Sequence, residues 1–165
     1  MSLSNEMVQE KLIAKFGDQV SQFATSYGML SFESPKEINL KVLQFLYDEP
    51  SLEFTFLTDI CAVNYPNQKG AELVVVYHLH NLKENIRVRY SVSTSLENTD
   101  VYTATKLFES ANWMERETYD FFGINFVIIS FCVVQRNEQP TQNQRRSQCT
   151  KYANRSKIHD IPNHF

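Results

Sequence analysis

The most distinctive segment of this sequence is ANWMERETYDFFGINF, residues 111–126. It holds the only tryptophan of the chain, an arginine between two glutamates, and an aromatic group that ends at Gly123. Asp120 follows Arg116 by four residues and Glu117 by three, so on a helix the three side chains can share one face. Gly123 is a suitable C-cap, since glycine adopts the left-handed conformation without a Cβ penalty. The segment therefore predicts a helix with a charged and aromatic surface that ends at Gly123.

Three helices are predicted from apolar residues at helical spacing. The first is expected over residues 5–16 and is stopped by Gly17. The second is expected to start at Ser34-Pro35-Lys36-Glu37, which has the pattern of a capping box with proline at the first helical position. The third is expected to begin at about Thr103 and to continue into the distinctive segment.

Five strands are predicted from alternating or continuous apolar residues. They are a pair within residues 19–33 that turns at Tyr27-Gly28, a strand from Leu52 toward Val63, the apolar run 73–77 and the alternating run 86–92. Along the chain the predicted order is α-β-β-α-β-β-β-α. This order indicates a two-layer α+β domain, with a mixed sheet covered by helices on one face.

The composition is typical of a soluble globular domain. The 165 residues are 42% hydrophobic and 21% charged, and no apolar run reaches the ~18 residues of a membrane-spanning helix. The first residues lack the pattern of a signal peptide. Three cysteines without a C-x-x-C pair argue against a disulfide framework and against a self-contained zinc or iron–sulfur site, and they favour a reducing cytoplasm.

Two groups of side chains suggest chemistry. Glu115, Glu117 and Asp120 offer paired carboxylates for acid–base work, but acids beside an arginine more often form ion pairs. His78 and His80 share one face of a strand and could share a metal, but the sequence identifies no third ligand. No glycine-rich phosphate loop and no G-x-S-x-G motif is present.

The core of the distinctive segment, Glu115-Arg116-Glu117-Thr118-Tyr119-Asp120-Phe121-Phe122-Gly123-Ile124, resembles the signature of the 30-kDa subunit of respiratory complex I. In bacterial NADH–quinone oxidoreductases this family is called the C subunit. Three further segments resemble the family in the expected order: Leu57-Thr58-Asp59-Ile60, Asn64-Tyr65-Pro66 and Val76-Tyr77-His78-Leu79.

The resemblance implies a non-catalytic structural subunit in the peripheral arm of a proton-pumping NADH–quinone oxidoreductase. Its expected partners are the D subunit, which helps form the quinone site, and the neighbouring B and I subunits. NADH, quinone, FMN and the iron–sulfur clusters would then belong to other subunits, with no cofactor, metal or active site in this chain. The family places the complex at the cytoplasmic side of the bacterial inner membrane, and this chain would meet the membrane only through the complex. The alternative is the equivalent subunit of a related membrane-bound hydrogenase or photosynthetic complex.

The residues that we expect to act in assembly and interface contacts come from the distinctive segment and from one strand. They are Trp113, Glu115, Arg116, Glu117, Asp120, Arg87 and Arg89. The two strand arginines share an outward face, which indicates a solvated surface or a patch that meets acidic groups of a partner.

The resemblance covers a domain of residues 1–127 and then stops, because Ile129 stands where the family has a histidine. Residues 1–134 carry 10 basic and 17 acidic side chains, whereas residues 135–165 carry 6 and 2. We therefore expect residues 128–165 to be an atypical, disordered tail, produced by a shifted reading frame or by a natural truncation with a replaced end.

Two other classes of function remain open at this point. A freestanding enzyme would use the acidic cluster and would be active as an isolated chain. A nucleic-acid-binding domain would use the basic tail, but the acidic body predicts weak and strongly salt-dependent binding. We accordingly expect no nucleic-acid partner.

Overall fold

The computed structural model describes residues 3–128 of the chain. The elements in chain order are α1 (Asn5–Phe16), β1 (Ser21–Ser26), β2 (Met29–Pro35), α2 (Asn39–Asp48), β3 (Phe56–Asn64), β4 (Leu73–Asn81), β5 (Ile86–Thr94), β6 (Asp100–Tyr102), α3 (Ala111–Phe122) and β7 (Asn125–Val127). Short 3-10 turns precede β1 and α2. The predictions for residues 129–165, including disorder and a shifted reading frame, lie outside the described residues.

The main sheet has five strands in the order β1-β2-β5-β4-β3. β2 runs parallel to β5, and the other neighbours are antiparallel, so the sheet is mixed. The predicted α+β class and the order of its eight elements are confirmed. A second sheet, in which β6 and β7 run parallel, was not predicted because each strand has only three residues.

One face of the main sheet forms the core together with the first two helices. Val8 and Leu12 of α1, and Val42, Leu43 and Leu46 of α2, are fully buried in one apolar cluster with alternate residues of the strands. The strand residues are Leu30, Phe32, Ile60, Val75, Tyr77, Leu79, Val88, Tyr90 and Val92. Each large buried side chain contributes roughly 1.5–3 kcal/mol through the hydrophobic effect. Because α1 and α2 pack on this face, the alternating polar residues of the strands lie on the opposite face of the sheet.

The predicted capping box at Ser34 is wrong. Ser34 belongs to β2, is buried, and pairs with Val92 of β5. Its hydroxyl contacts the Tyr90 hydroxyl at 2.5 Å, and α2 begins only at Asn39, where no side chain caps the helix. The parallel pairing of β2 with β5 extends to Pro35. Ser34 and Pro35, which local sequence assigns to the start of a helix, therefore belong to a strand.

Two other predicted boundaries need correction. The strand expected from Leu52 begins at Phe56, because Leu52 lies in a turn. The Leu52 carbonyl accepts a hydrogen bond from the Asn81 side chain at 2.6 Å. The helix expected from Thr103 begins at Ala111, because the segment after β6 is held in an irregular conformation by Glu115. The bounds of α1 and the turn at Tyr27-Gly28 agree with prediction. Within residues 3–128, no helix has the length and apolar character needed to span a bilayer.

Candidate functional site

Helix α3 carries the distinctive segment and lies against the edge strand β3. Its inner side is formed by Ala111, Glu115 and Thr118, all of them buried. The helix ends as predicted at Gly123, which has φ +70° and donates its backbone N–H to the Tyr119 carbonyl at 2.8 Å. The packed inner side therefore determines which residues of α3 face outward.

The outward surface of α3 is aromatic and charged. The exposed fractions of Trp113, Tyr119 and Phe121 are 73%, 55% and 75%. Arg116, Glu117 and Asp120 lie between these rings and are also exposed. We call these six residues the α3 face. Three of the exposed large apolar side chains of the described residues thus lie on the outward side of this one helix.

Arg116 interacts with a ring rather than with a carboxylate. The central carbon of its guanidinium lies 5.4 Å from the centroid of the Trp113 ring, which is a cation–π distance. None of the salt bridges within residues 3–128 involves a residue of α3. The ion pairs expected around Arg116 are therefore not formed inside the described chain, and the charges of Glu117 and Asp120 remain available at the surface.

Glu115 differs from the other acids of the segment because it is buried. One carboxylate oxygen accepts a hydrogen bond from the Thr103 hydroxyl at 2.6 Å, and the other accepts from the Ala104 backbone N–H at 2.7 Å. Burial raises the pKa of Glu115 above its ordinary value, and these two hydrogen bonds oppose the rise. Glu115 is one of the predicted interface residues, and within this chain its side chain binds Thr103 and Ala104.

A groove of about 440 Å³ runs beside α3. Its walls include Glu115, Arg116, Tyr119 and Asp120 of the helix, and Asn125 of β7. A perturbed carboxyl beside a groove is a feature of some active sites. Each oxygen of Glu115 accepts one hydrogen bond from within the chain, from Thr103 or Ala104, so the carboxyl holds the segment after β6 to α3.

The predicted strand arginines lie on the outer face of the main sheet and have different environments. Arg87 is exposed and is paired in register with His80. Arg89 is half-buried, and its Nε donates a hydrogen bond to Nε2 of His78 at 3.2 Å. The two arginines therefore share a face, as predicted, but only Arg87 is fully available to a partner.

His78 and His80 lie on one face of β4, as predicted, but their side chains contact different residues. His80 contacts the Asn85 side chain at 2.9 Å, whereas His78 lies beside Asp59 and Cys61 of β3. One donor atom from each of Asp59, Cys61 and His78 lies within 4.8 Å of the others. The sequence did not predict this group, because the contact comes from the pairing of β3 with β4. The sequence singled out His78 as a possible ligand together with His80, whereas Asp59 stood out only as part of a segment that resembles the family.

Comparison with known proteins identifies the chain's relatives. Residues 32–127 match the family described as "Respiratory-chain NADH dehydrogenase, 30 Kd subunit". The NADH-quinone oxidoreductase C subunit of Methylorubrum extorquens (strain PA1) is 40% identical over 117 residues, which are 71% of this chain and 52% of that protein. The corresponding protein of Azorhizobium caulinodans is 44% identical over 101 residues, covering 61% and 47%. The chain thus spans about half the length of these curated relatives.

Two solved structures resemble the fold. A trypsin-resistant fragment (1-134) of Nqo5 is 32% identical and has a TM-score of 0.61, with 73% of this chain and 93% of that chain covered. A chain of an archaeal membrane-bound sulfane sulfur reductase superposes with a TM-score of 0.62 at 16% identity, covering 96% and 95%. The second likeness concerns the fold alone.

Proposed function

Since the chain belongs to the family of the 30-kDa subunit of respiratory-chain NADH dehydrogenase, we propose that it is a structural subunit of a proton-pumping NADH–quinone oxidoreductase. In this proposal it belongs to the peripheral arm and takes no part in the chemistry. The relatives that are 40% and 44% identical over the aligned residues carry the name of that enzyme's C subunit, which supports the assignment.

The observation that carries this proposal is the α3 face. Protein interfaces are enriched in tryptophan, tyrosine, phenylalanine and arginine, and these residue types dominate binding energy when they are buried. The α3 face presents Trp113, Tyr119 and Phe121 on the outward side of one helix, with Trp113 and Tyr119 each three residues from Arg116. The segment also lies inside the region that matches the family. A partner that covers this helix would remove three exposed aromatic side chains from water.

The proposed main partner is the D subunit, with the B and I subunits as further neighbours. NADH, quinone, FMN and the iron–sulfur clusters would be bound by other subunits of the complex. The complex would place this chain at the cytoplasmic side of the bacterial inner membrane. Glu115 supports a structural role, because its carboxylate is used to hold the segment after β6.

The related hydrogenase and photosynthetic complexes are the alternative assemblies. The likeness to the sulfane sulfur reductase chain is consistent with a wider group of complexes that share this fold, but at 16% identity it supports the fold alone. The named relatives at 40% and 44% identity favour the NADH–quinone enzyme as the assembly.

The experiment replaces Trp113 and Phe121 by alanine, singly and together, in a strain that depends on this gene. Loss of an interface hot spot costs about 2 kcal/mol or more, which corresponds to roughly a 30-fold loss of affinity. We expect the amount of assembled complex in native gels to fall severalfold, with NADH–quinone activity per assembled complex unchanged. Leu82→Ala and Leu96→Ala are matched controls, because both leucines are 60% exposed and lie outside α3.

The readouts separate assembly from catalysis. Normal complex abundance with collapsed activity per complex would show that the α3 face acts in turnover. Normal abundance and normal activity in the double variant would show that the α3 face is not an assembly surface.

A further inference from the structure

The outer face of the main sheet carries a cluster that the proposed assembly role does not use. β3 and β4 are antiparallel neighbours, and Asp59 lies directly opposite His78 in their register. Cys61 is two residues further along β3 and therefore points to the same face as Asp59. A register shift between Leu57 and Asp59 interrupts the regular pairing of β3 with β4 next to the cluster.

The three side chains are a suitable ligand set for zinc. Zinc binds cysteine sulfur, histidine nitrogen and carboxylate oxygen at roughly 2.0–2.3 Å, so tetrahedral donors lie roughly 3.5 Å apart. The donor atoms of Asp59, Cys61 and His78 all lie within 4.8 Å of one another, and Nδ1 of His78 is 3.9 Å from Oδ2 of Asp59. A closure of about 1 Å would bring the three donors to these tetrahedral spacings. The Asp59 side chain is 53% exposed and has room to make this movement.

We propose that Asp59, Cys61 and His78 form a zinc-binding site that joins the edge strand β3 to β4. Three protein ligands leave one coordination position for a water molecule, as in zinc sites that are open to solvent. This inference does not depend on the proposed function, because it concerns the outer face of the sheet and the isolated chain.

The geometry favours Nδ1 of His78 as the metal ligand, because Nδ1 lies 3.9 Å from Oδ2 of Asp59 whereas Nε2 contacts Arg89. Because Nε2 accepts a hydrogen bond from Arg89, the ring proton lies on Nδ1, facing Asp59. Metal binding at Nδ1 moves this proton to Nε2 and releases one proton from the Cys61 thiol to solvent, so the site takes up Zn²⁺ with the loss of one H⁺.

Arg89 competes with the metal. Once Nε2 of His78 carries a proton, it can no longer accept from Arg89, and the guanidinium has to turn away. The positive charge also opposes a nearby divalent cation. The competition predicts that Arg89→Ala binds zinc several times more tightly than the parent chain.

The test measures zinc binding to the full chain by competition with a chromogenic chelator. Cys132 and Cys149 lie outside the described residues, so the parent chain for this test carries serine at both positions. We expect one zinc per chain in this parent. Asp59→Asn, Cys61→Ser and His78→Ala should each weaken binding at least tenfold, whereas His80→Ala is the matched control because His80 lies on the same face of β4 and is not in the cluster.

Cobalt gives a second readout that reports the ligand directly. A cobalt-loaded parent should show a thiolate charge-transfer band in the near ultraviolet, and Cys61→Ser should abolish it. Far-ultraviolet circular dichroism of each variant separates ligand loss from unfolding. Absence of zinc binding in the parent, or zinc binding that survives Cys61→Ser and His78→Ala, would overturn the proposal.

Discussion

The carboxylate of Glu115 accepts a hydrogen bond from the Thr103 hydroxyl at 2.6 Å, across 12 positions of sequence. The same carboxylate accepts a hydrogen bond from the Ala104 backbone N–H at 2.7 Å. Glu115 lies on α3, and Thr103 directly follows β6. The pair therefore fixes the helix that carries the α3 face to the small second sheet, and it positions this face relative to the body of the domain.

Glu115→Ala is expected to destabilise the chain. It leaves the buried Ala104 N–H without an acceptor, and an unsatisfied buried donor costs about 1–3 kcal/mol. Glu117→Ala removes an exposed acid from the same helix and should change the free energy of unfolding by less than about 0.5 kcal/mol. Urea unfolding followed by circular dichroism measures both, and equal effects of the two variants would contradict the structural role of Glu115.

The stability contribution of Glu115 should depend on pH. Burial raises its pKa in the folded chain above the ordinary value of 4.5, so folding favours the protonated form. As pH rises from 4.5 through the folded pKa, the unfolded chain ionises first and this contribution is lost. The free energy of unfolding of the parent minus that of Glu115→Gln should therefore be largest below pH 4.5 and should decrease toward neutral pH. A difference that grows with pH over this range would show that the folded pKa is lowered instead.

Ser34 and Tyr90 should be energetically coupled. Their hydroxyl groups contact each other at 2.5 Å inside the core, on the parallel strands β2 and β5. A buried hydrogen bond contributes about 0.5–1.5 kcal/mol, so the double-mutant cycle of Ser34→Ala and Tyr90→Phe should show a coupling energy of this size. If Ser34 instead capped α2, Ser34→Ala would destabilise the chain equally with or without the Tyr90 hydroxyl.

Gly123→Ala should destabilise the end of α3. The backbone of Gly123 has φ +70°, a conformation that costs a residue with a Cβ roughly 1–2 kcal/mol. No atom lies within 4 Å of the position that the new Cβ would take, so the cost arises from backbone strain alone. Asparagine tolerates this conformation better, and Gly123→Asn should fall between the parent and Gly123→Ala in thermal unfolding. Equal melting temperatures for all three proteins would contradict the strained C-cap.

Local sequence predicted an element correctly where the spacing of its apolar residues and the residues at its ends indicate the same structure. The alternation from Ile86 to Val92 is reproduced by β5, and the predicted α1 has the observed bounds Asn5–Phe16. Local sequence failed where tertiary contacts decide the structure. Ser34 follows the parallel pairing with β5, and Leu52 is held in a turn by Asn81.

The candidate site shows the same division. Exposure of Trp113, Arg116, Glu117 and Asp120 follows from helical spacing once the inner side of α3 is known. The burial of Glu115 could not be predicted in this way, because its partners Thr103 and Ala104 lie in an irregular segment without a helical or strand pattern. The grouping of Asp59, Cys61 and His78 depends on strand register, which the sequence of either strand alone does not determine. The assembly roles assigned to the predicted residues remain a proposal.

We expect partner subunits to cover the α3 face in the assembled complex. Hydroxyl-radical footprinting with mass spectrometry measures this directly, by comparing the labelling of Trp113, Tyr119 and Phe121 in the isolated chain and in the intact membrane complex. We expect strong labelling in the isolated chain, where these side chains are 55–75% exposed, and a severalfold loss of labelling in the complex. Equal labelling of all three residues in both samples would contradict the claim.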